Sequence, residues 1–112
     1  MNRLEKLYEL IDSNNASDIV ILDVGEISGF TEYFIIATAT STPHLKQLKS
    51  EIPMEMKKEF SEPPFGVEGM PESHWIVLDY GDIVVHVFTE EKRKFYDLEK
   101  IWGQCEKVTF ED

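Results

Sequence analysis

The chain has 112 residues, of which 42% are hydrophobic, and this is enough apolar material for one folded domain without disulfides or a structural metal. Its formal net charge is −11, from 22 acidic and 11 basic residues, which argues against a protein that wraps nucleic acid or adheres to anionic membranes. The same charge suits a basic protein partner, although charge alone more often serves only solubility.

The first forty residues predict a helix followed by two strands. Apolar residues at helical spacing follow Asn2, a candidate N-cap, and the pair Asn14–Asn15 ends this helix. Residues 18–24 form a short β-branched run and predict a strand, after which residues 25–29 turn the chain. Residues 32–39 predict a second strand, and their near-continuous apolarity indicates a central position in the sheet.

A longer helix follows, with a start signal at Ser41, a hydroxyl cap, and Pro43, a proline at the first helical position. Its apolar face comprises Leu45, Leu48, Ile52, Met56 and Phe60. Pro53 lies inside this pattern and removes a backbone donor, so we expect a kink or two shorter helices. Residues 61–74 are rich in proline and glycine and predict a loop, with one short strand at 65–68.

Residues 75–80 and 83–88 predict two strands joined by Gly81–Asp82, a two-residue loop typical of a tight β-hairpin. Because cross-strand partners share a face of the sheet, this register divides the hairpin into two faces. The apolar face, which predicts core, comprises Ile76, Leu78, Tyr80, Ile83, Val85 and Val87. The mixed face comprises Trp75, Val77, Asp79, Val84, His86 and Phe88. Such a mixture is typical of a protein-binding surface, but the pattern slightly favours a face covered by a helix, with His86 as a core histidine.

The last predicted helix begins at Thr89, a candidate cap, and stops at Gly103. Its apolar face comprises Phe95, Leu98 and Trp102. Residues 104–112 are interpreted as a short, frayed tail. The order of elements predicts an α+β fold in a single domain over residues 1–103, with a mixed β-sheet and packed helices.

No pattern typical of a metal, cofactor or nucleophile site stands out. His44, His74 and His86 are isolated from one another, and Cys105 has no second cysteine for zinc spacing or a disulfide. The unperturbed pKa of histidine, about 6.5, would allow His86 to give mild pH dependence near neutrality. The N-terminus lacks the apolar segment of a signal peptide and no apolar run could span a bilayer, so we expect a cytoplasmic protein.

Three stretches, taken in order, resemble the ribosomal silencing factor (Iojap-related) family over roughly residues 2–103. The first runs from residue 18 to Ser41, and the second is Gly66-Val-Glu-Gly69. The third and most specific is Trp75-Ile-Val-Leu-Asp-Tyr-Gly-Asp-Ile-Val-Val-His-Val-Phe88, followed by Phe95-Tyr-Asp-Leu-Glu-Lys-Ile-Trp102. Two departures are Ala39, where similar sequences usually carry glycine, and Pro53, which interrupts a helix that is normally continuous.

The resemblance implies a fold related to the nucleotidyltransferase palm and a protein that is usually a homodimer when free. It implies binding to large-subunit ribosomal protein fourteen on the intersubunit face, which would sterically block the small subunit and lower translation when nutrients are short. The implied partner-binding residues are Trp75, Asp79, Tyr80, Asp82, His86 and Tyr96. The face analysis above instead places Tyr80 in the core.

Two other roles remain open beside silencing: large-subunit maturation, and an enzyme that transfers nucleotides. The enzyme is disfavoured because nucleotidyl transfer uses an Asp-x-Asp pair after Gly-Ser, whereas Asp79 and Asp82 are three residues apart across a turn. Lys46 and Lys49, with two further lysines in residues 43–60, could make a minor ribosomal RNA contact. A solvated helix face is the favoured interpretation of these lysines.

Overall fold

The computed structural model describes residues 2–109, and within that range the chain forms five α-helices, one 3-10 turn and six strands. The helices are α1 (Arg3–Ser13), α2 (Gly25–Ser28), α3 (Thr42–Phe60), α4 (Glu90–Tyr96) and α5 (Leu98–Ile101), and the 3-10 turn is Pro71–Ser73. The strands are β1 (Ser17–Asp23), β2 (Tyr33–Ala39), β3 (Gly66–Glu68), β4 (Trp75–Asp79), β5 (Ile83–Thr89) and β6 (Glu106–Lys107).

All of these strands belong to one sheet in the order β3-β4-β5-β2-β1-β6. β2 pairs in parallel with β5, and the other neighbours are antiparallel. The predicted α+β class with a mixed sheet is therefore confirmed. The central position predicted for β2 is also confirmed, because it is paired on both sides and six of its seven residues are buried.

Helices α1 and α3 pack together on one face of the sheet and form its main core. Asn2 caps α1 in a capping box, in which its side-chain oxygen accepts from the Glu5 amide at 2.8 Å. Ser41 caps α3, and Pro43 takes the second helical position rather than the first. α3 runs unbroken through Pro53, so the alternative of two shorter helices is wrong. The reason is tertiary: apolar residues on both sides of the proline are fully buried in one core, which outweighs the lost hydrogen bond.

The hairpin has the predicted register. Val77 lies opposite His86 and Asp79 opposite Val84, and the Tyr80 amide donates to the Ile83 carbonyl at 2.8 Å. Gly81 is required in the loop, because its φ is +84° and an added Cβ would lie 2.5 Å from the Phe65 ring. All six residues of the predicted apolar face are buried in the main core.

The prediction of one final helix is wrong, because Asp97 adopts a left-handed conformation (φ 46°) and divides the segment into α4 and α5. The break changes the helical phase, so Phe95 is 74% exposed whereas Leu98 and Trp102 pack on the sheet as expected. Thr89 precedes α4 as predicted, but its hydroxyl makes no capping hydrogen bond.

The segment after residue 103 departs from the predicted frayed tail. Glu106 and Lys107 form β6 and pair with β1, and the Val108 amide donates to the Ile21 carbonyl at 2.9 Å. Val108 also packs against the main core. Residues 110–112 of the predicted tail lie outside the described residues. In the part of the chain that is described, none of the helices has the length and apolarity to cross a membrane.

Candidate functional site

A cluster of aromatic rings lies on the sheet face opposite α1 and α3, and we refer to Trp75, His86, Phe88 and Tyr96 as the aromatic surface. Strands β4 and β5 supply the first three residues, and α4, which packs on β5 and β2, supplies Tyr96. The Trp75 ring stacks on Phe88 at a centroid distance of 5.0 Å and meets Tyr96 at 4.5 Å. These distances are those of favourable aromatic pairs, so the rings hold one another in place.

The four rings differ in accessibility. Phe88 is fully buried and His86 is only 9% exposed, so both form the base of the surface. Trp75 is partly exposed and Tyr96 is 39% exposed. A partner that approaches this face can therefore touch Trp75 and Tyr96 without any rearrangement of the chain.

A second, smaller core underlies the aromatic surface. Phe34 on β2 lies edge-on to His86, with centroids 4.9 Å apart, and to Trp102 at 5.1 Å. Leu98 and Trp102 cover this part of the sheet. The interpretation that the mixed face of the hairpin is covered is therefore confirmed for His86 and Phe88. Trp75 remains partly exposed beside them.

The histidine in this surface is neutral. The indole N–H of Trp75 donates to His86 Nδ1 at 3.4 Å, and burial lowers the pKa of His86 to about 4. The imidazole therefore carries no proton on Nδ1 at neutral pH. The mild pH dependence near neutrality that the unperturbed pKa of His86 would allow is therefore not expected, because burial moves its pKa well below neutrality.

The acidic residues assigned to the surface already have partners. Asp79 Oδ1 accepts from the Gly81 amide at 2.8 Å, which stabilises the hairpin loop. Asp82 pairs with Arg3 Nη2 at 2.5 Å, and its side chain remains 43% exposed. Glu62 lies 3.5 Å from Arg3 Nε, and the hydrogen bond that Arg3 donates to Asp82 is the main reason that the pKa of Arg3 is raised. A basic partner at Asp82 would therefore share the carboxylate with Arg3, which already engages one of its oxygens.

Tyr80 does not belong to the aromatic surface. It is 2% exposed and lies in the main core on the opposite face of the sheet, and its burial raises the pKa of the phenol to about 12. The hairpin alternation explains this position, since Tyr80 shares a face with Leu78 and Ile83. Tyr80 is therefore removed from the candidate contact residues.

Two contributors to the site were missed at the level of sequence. Phe34 supports His86, and the alternation along β2 could have revealed this, because Phe34 shares a face with Ile36, the parallel partner of His86. Arg3 carried no signal, because it meets Asp82 across 79 positions of the chain. Between residues 2 and 109, no three His, Cys, Asp or Glu side chains come close enough to hold a metal ion.

The fold and the surface define a small α+β protein built around one mixed sheet, and known proteins share this arrangement. A solved structure of a protein from Chromobacterium violaceum is similar over all of this chain and 94% of its own, with a TM-score of 0.83 and 29% identity. The family profile described as "Ribosomal silencing factor during starvation" matches residues 1–112. The chain belongs to this ribosomal silencing factor family.

Two curated relatives show how far the similarity extends. The ribosomal silencing factor of Bacillus subtilis is 40% identical over 101 residues, which cover 84% of this chain and 79% of the relative. The mouse protein named for mitochondrial assembly of the ribosomal large subunit is 33% identical over 102 residues. That match covers 88% of this chain but 44% of the mouse protein, so this chain spans less than half the length of that relative. The names describe regulation and assembly rather than catalysis.

Proposed function

We propose that this protein binds the large ribosomal subunit through the aromatic surface and so prevents the small subunit from joining. The proposed partner is a basic protein of the intersubunit face, large-subunit ribosomal protein fourteen. Binding would lower translation in the cytoplasm when nutrients are short. The observation that carries this proposal is Trp75, a partly exposed indole held on a strand by two neighbouring rings.

An indole in this position is a strong anchor for a protein partner. Tryptophan and tyrosine are enriched among the residues that dominate binding energy, because they bury a large area with little loss of conformational freedom. Phe88 and Tyr96 already restrict Trp75 before any partner arrives. The entropy lost on binding is therefore reduced.

Charge supports a basic partner. The protein carries a formal net charge of −11, and this field comes from the chain as a whole, because α4 holds two acidic and three basic residues. Such a field accelerates the encounter with a positively charged surface and is screened by salt. We therefore expect binding to weaken as the ionic strength rises.

The test is co-sedimentation with purified small and large subunits at low and moderate salt. Trp75→Ala should weaken binding to the large subunit by on the order of 30-fold, about 2 kcal/mol, because it removes the anchor. Phe30→Ala is the matched control, since it removes an aromatic that is 76% exposed outside the aromatic surface. Wild-type binding by a folded Trp75→Ala variant would show that the proposed surface is wrong.

A second candidate role is maturation of the large subunit, favoured by the name of the mouse relative. Both roles use the same contact and differ in the stage at which the subunit is bound. Depletion of the protein should raise the amount of incomplete large subunits if maturation is the main role. A direct effect on the joining of purified, mature subunits would instead favour silencing.

We expect any contact of the lysines on α3 with ribosomal RNA to be minor. Lys46 and Lys49 lie on α3, which packs on the face opposite the aromatic surface, and Lys49 Nζ donates to the Gly69 carbonyl at 3.1 Å. Charge reversal at both lysines should leave affinity for the large subunit nearly unchanged, as measured by co-sedimentation. A large loss, with a weaker dependence on salt, would indicate phosphate contacts.

We also propose a homodimer for the free protein, as the family resemblance implies. Light scattering across a range of protein concentrations tests this proposal. A single monomeric mass at all concentrations would contradict it.

A further inference from the structure

Stacking alone does not decide which edge of the Trp75 indole points inward. Phe88 lies nearly parallel to Trp75, at 22°, and Tyr96 meets it at 43°. Contacts of this kind fix the plane of a ring. They change little when the indole flips by 180°, which keeps the ring plane but exchanges its two edges. A directional contact is needed to select one orientation, and the hydrogen bond to His86 is such a contact.

His86 itself is poorly placed to touch a partner. Its Nδ1 is occupied by the Trp75 indole N–H, so in the neutral ring the proton must lie on Nε2. Nε2 is buried, and no residue in the described part of the chain makes a hydrogen bond with it. The Phe34 ring lies edge-on at 4.9 Å. An acceptor from a partner could therefore reach Nε2 only if the base of the surface opened.

We propose that His86 is a positioning residue, whose Nδ1 holds the indole N–H of Trp75 and thereby selects the orientation in which Trp75 meets its partner. This inference rests on the proposed function of the aromatic surface. It changes the role of His86, which the family resemblance implied to be a contact residue, to one exerted through Trp75.

The orientation also defines the chemistry that Trp75 offers. Its only polar atom points inward to His86, so the edge directed away from His86 is hydrocarbon. A partner would then meet an apolar ring edge, which packs against aliphatic side chains or against the face of another aromatic ring. It would not meet a free hydrogen-bond donor. A basic partner can still meet this edge through the aliphatic stems of its lysine and arginine side chains.

Four variants separate positioning from contact. His86→Phe keeps a ring of similar shape but removes the acceptor, whereas His86→Asn keeps an acceptor close to the position of Nδ1. Trp75→Phe keeps a stacked ring but removes the N–H donor, and the double variant Trp75→Phe/His86→Phe completes a thermodynamic cycle. Each variant is first compared with the wild type by thermal unfolding.

The first readout uses the free protein and needs no ribosome. In nitrogen-15 spectra, the indole N–H signal of Trp75 is assigned by its loss in Trp75→Phe. His86→Phe should shift this signal and speed its exchange with water, and His86→Asn should restore much of both. In wild type, the imidazole should show the neutral form protonated on Nε2. A form protonated on Nδ1 would overturn the proposal, because it cannot accept the indole proton, and this result does not depend on whether any variant folds.

The second readout is co-sedimentation with the large subunit. Loss of one hydrogen bond predicts about three- to tenfold weaker binding by His86→Phe, with partial rescue by His86→Asn. In the Trp75→Phe background, His86→Phe should have no further effect. An equal loss in both backgrounds would show that His86 contacts the partner directly and would overturn the proposal. If wild type itself does not sediment with the large subunit, the proposed function fails, whereas the tautomer and the indole signal still decide whether His86 holds Trp75.

Discussion

Replacing Tyr80 with phenylalanine removes one buried oxygen and leaves the ring that fills the core. The Tyr80 hydroxyl is buried and has no hydrogen-bond partner among residues 2–109, so its transfer from water into the core is uncompensated there. A buried, unpaired polar group costs about 1–3 kcal/mol. Because the ring contacts remain, Tyr80→Phe should raise the free energy of unfolding by about 1 kcal/mol, or the melting temperature by about 4–8 °C for a domain near this size.

Urea titration and thermal unfolding of wild type and Tyr80→Phe at pH 7 measure this change. Destabilisation by more than about 1 kcal/mol would refute the reasoning, because it would show that the hydroxyl has a partner in solution. Co-sedimentation with the large subunit supplies the functional half of the test. Binding should be unchanged, since Tyr80 lies in the core opposite the aromatic surface, and a tenfold loss would return Tyr80 to the contact residues.

Two further predictions concern pH and the exposed part of α4. Because the folded-state pKa of His86 is lowered to about 4, its stabilising effect is complete above the unfolded pKa of about 6.5 and is lost as the pH falls towards 4. The free energy of unfolding, measured by urea titration, should fall by about 3 kcal/mol over this pH range, and this decrease should be absent in His86→Phe. An equal decrease with pH in both proteins would contradict the prediction. Phe95→Ser should change the free energy of unfolding by less than about 0.5 kcal/mol, because Phe95 is 74% exposed, and a loss of about 3 kcal/mol by thermal unfolding would restore its predicted core position.

The hairpin was predictable from sequence because its constraints are local. A two-residue loop at Gly81–Asp82 leaves one register, and alternation then assigns every side chain of β4 and β5 to a face. This is why Trp75 and His86 were placed together on one face and Tyr80 on the other. The features that sequence left undecided depend on the rest of the molecule.

Three such features illustrate the limit. The apolar pattern of the sequence continues through Asp97 as one helix. The left-handed backbone at that aspartate instead changes the helical phase, so that Phe95 does not share the partly buried face of Leu98. Pro53 predicts a break, and burial on both sides of it keeps α3 continuous. The pair of Arg3 with Asp82 joins residues far apart in the chain, and it decides how freely Asp82 could meet a partner. None of these outcomes follows from spacing or composition.

The pairing of β6 with β1 holds the segment that follows β5, residues 90–107, at both of its ends. At one end β5 lies in the centre of the sheet, and at the other end β6 is hydrogen-bonded to β1. Helices α4 and α5 therefore cross the face of the sheet between two paired strands. Tyr96 lies in this segment and contacts Trp75 from it. Removal of the residues after 103 would eliminate the pairing of β6 with β1 and release one end of this segment. We expect the contact between Tyr96 and Trp75 to loosen as a result, although neither ring is altered. We therefore expect β6, at the far edge of the sheet, to influence how firmly Tyr96 packs against Trp75.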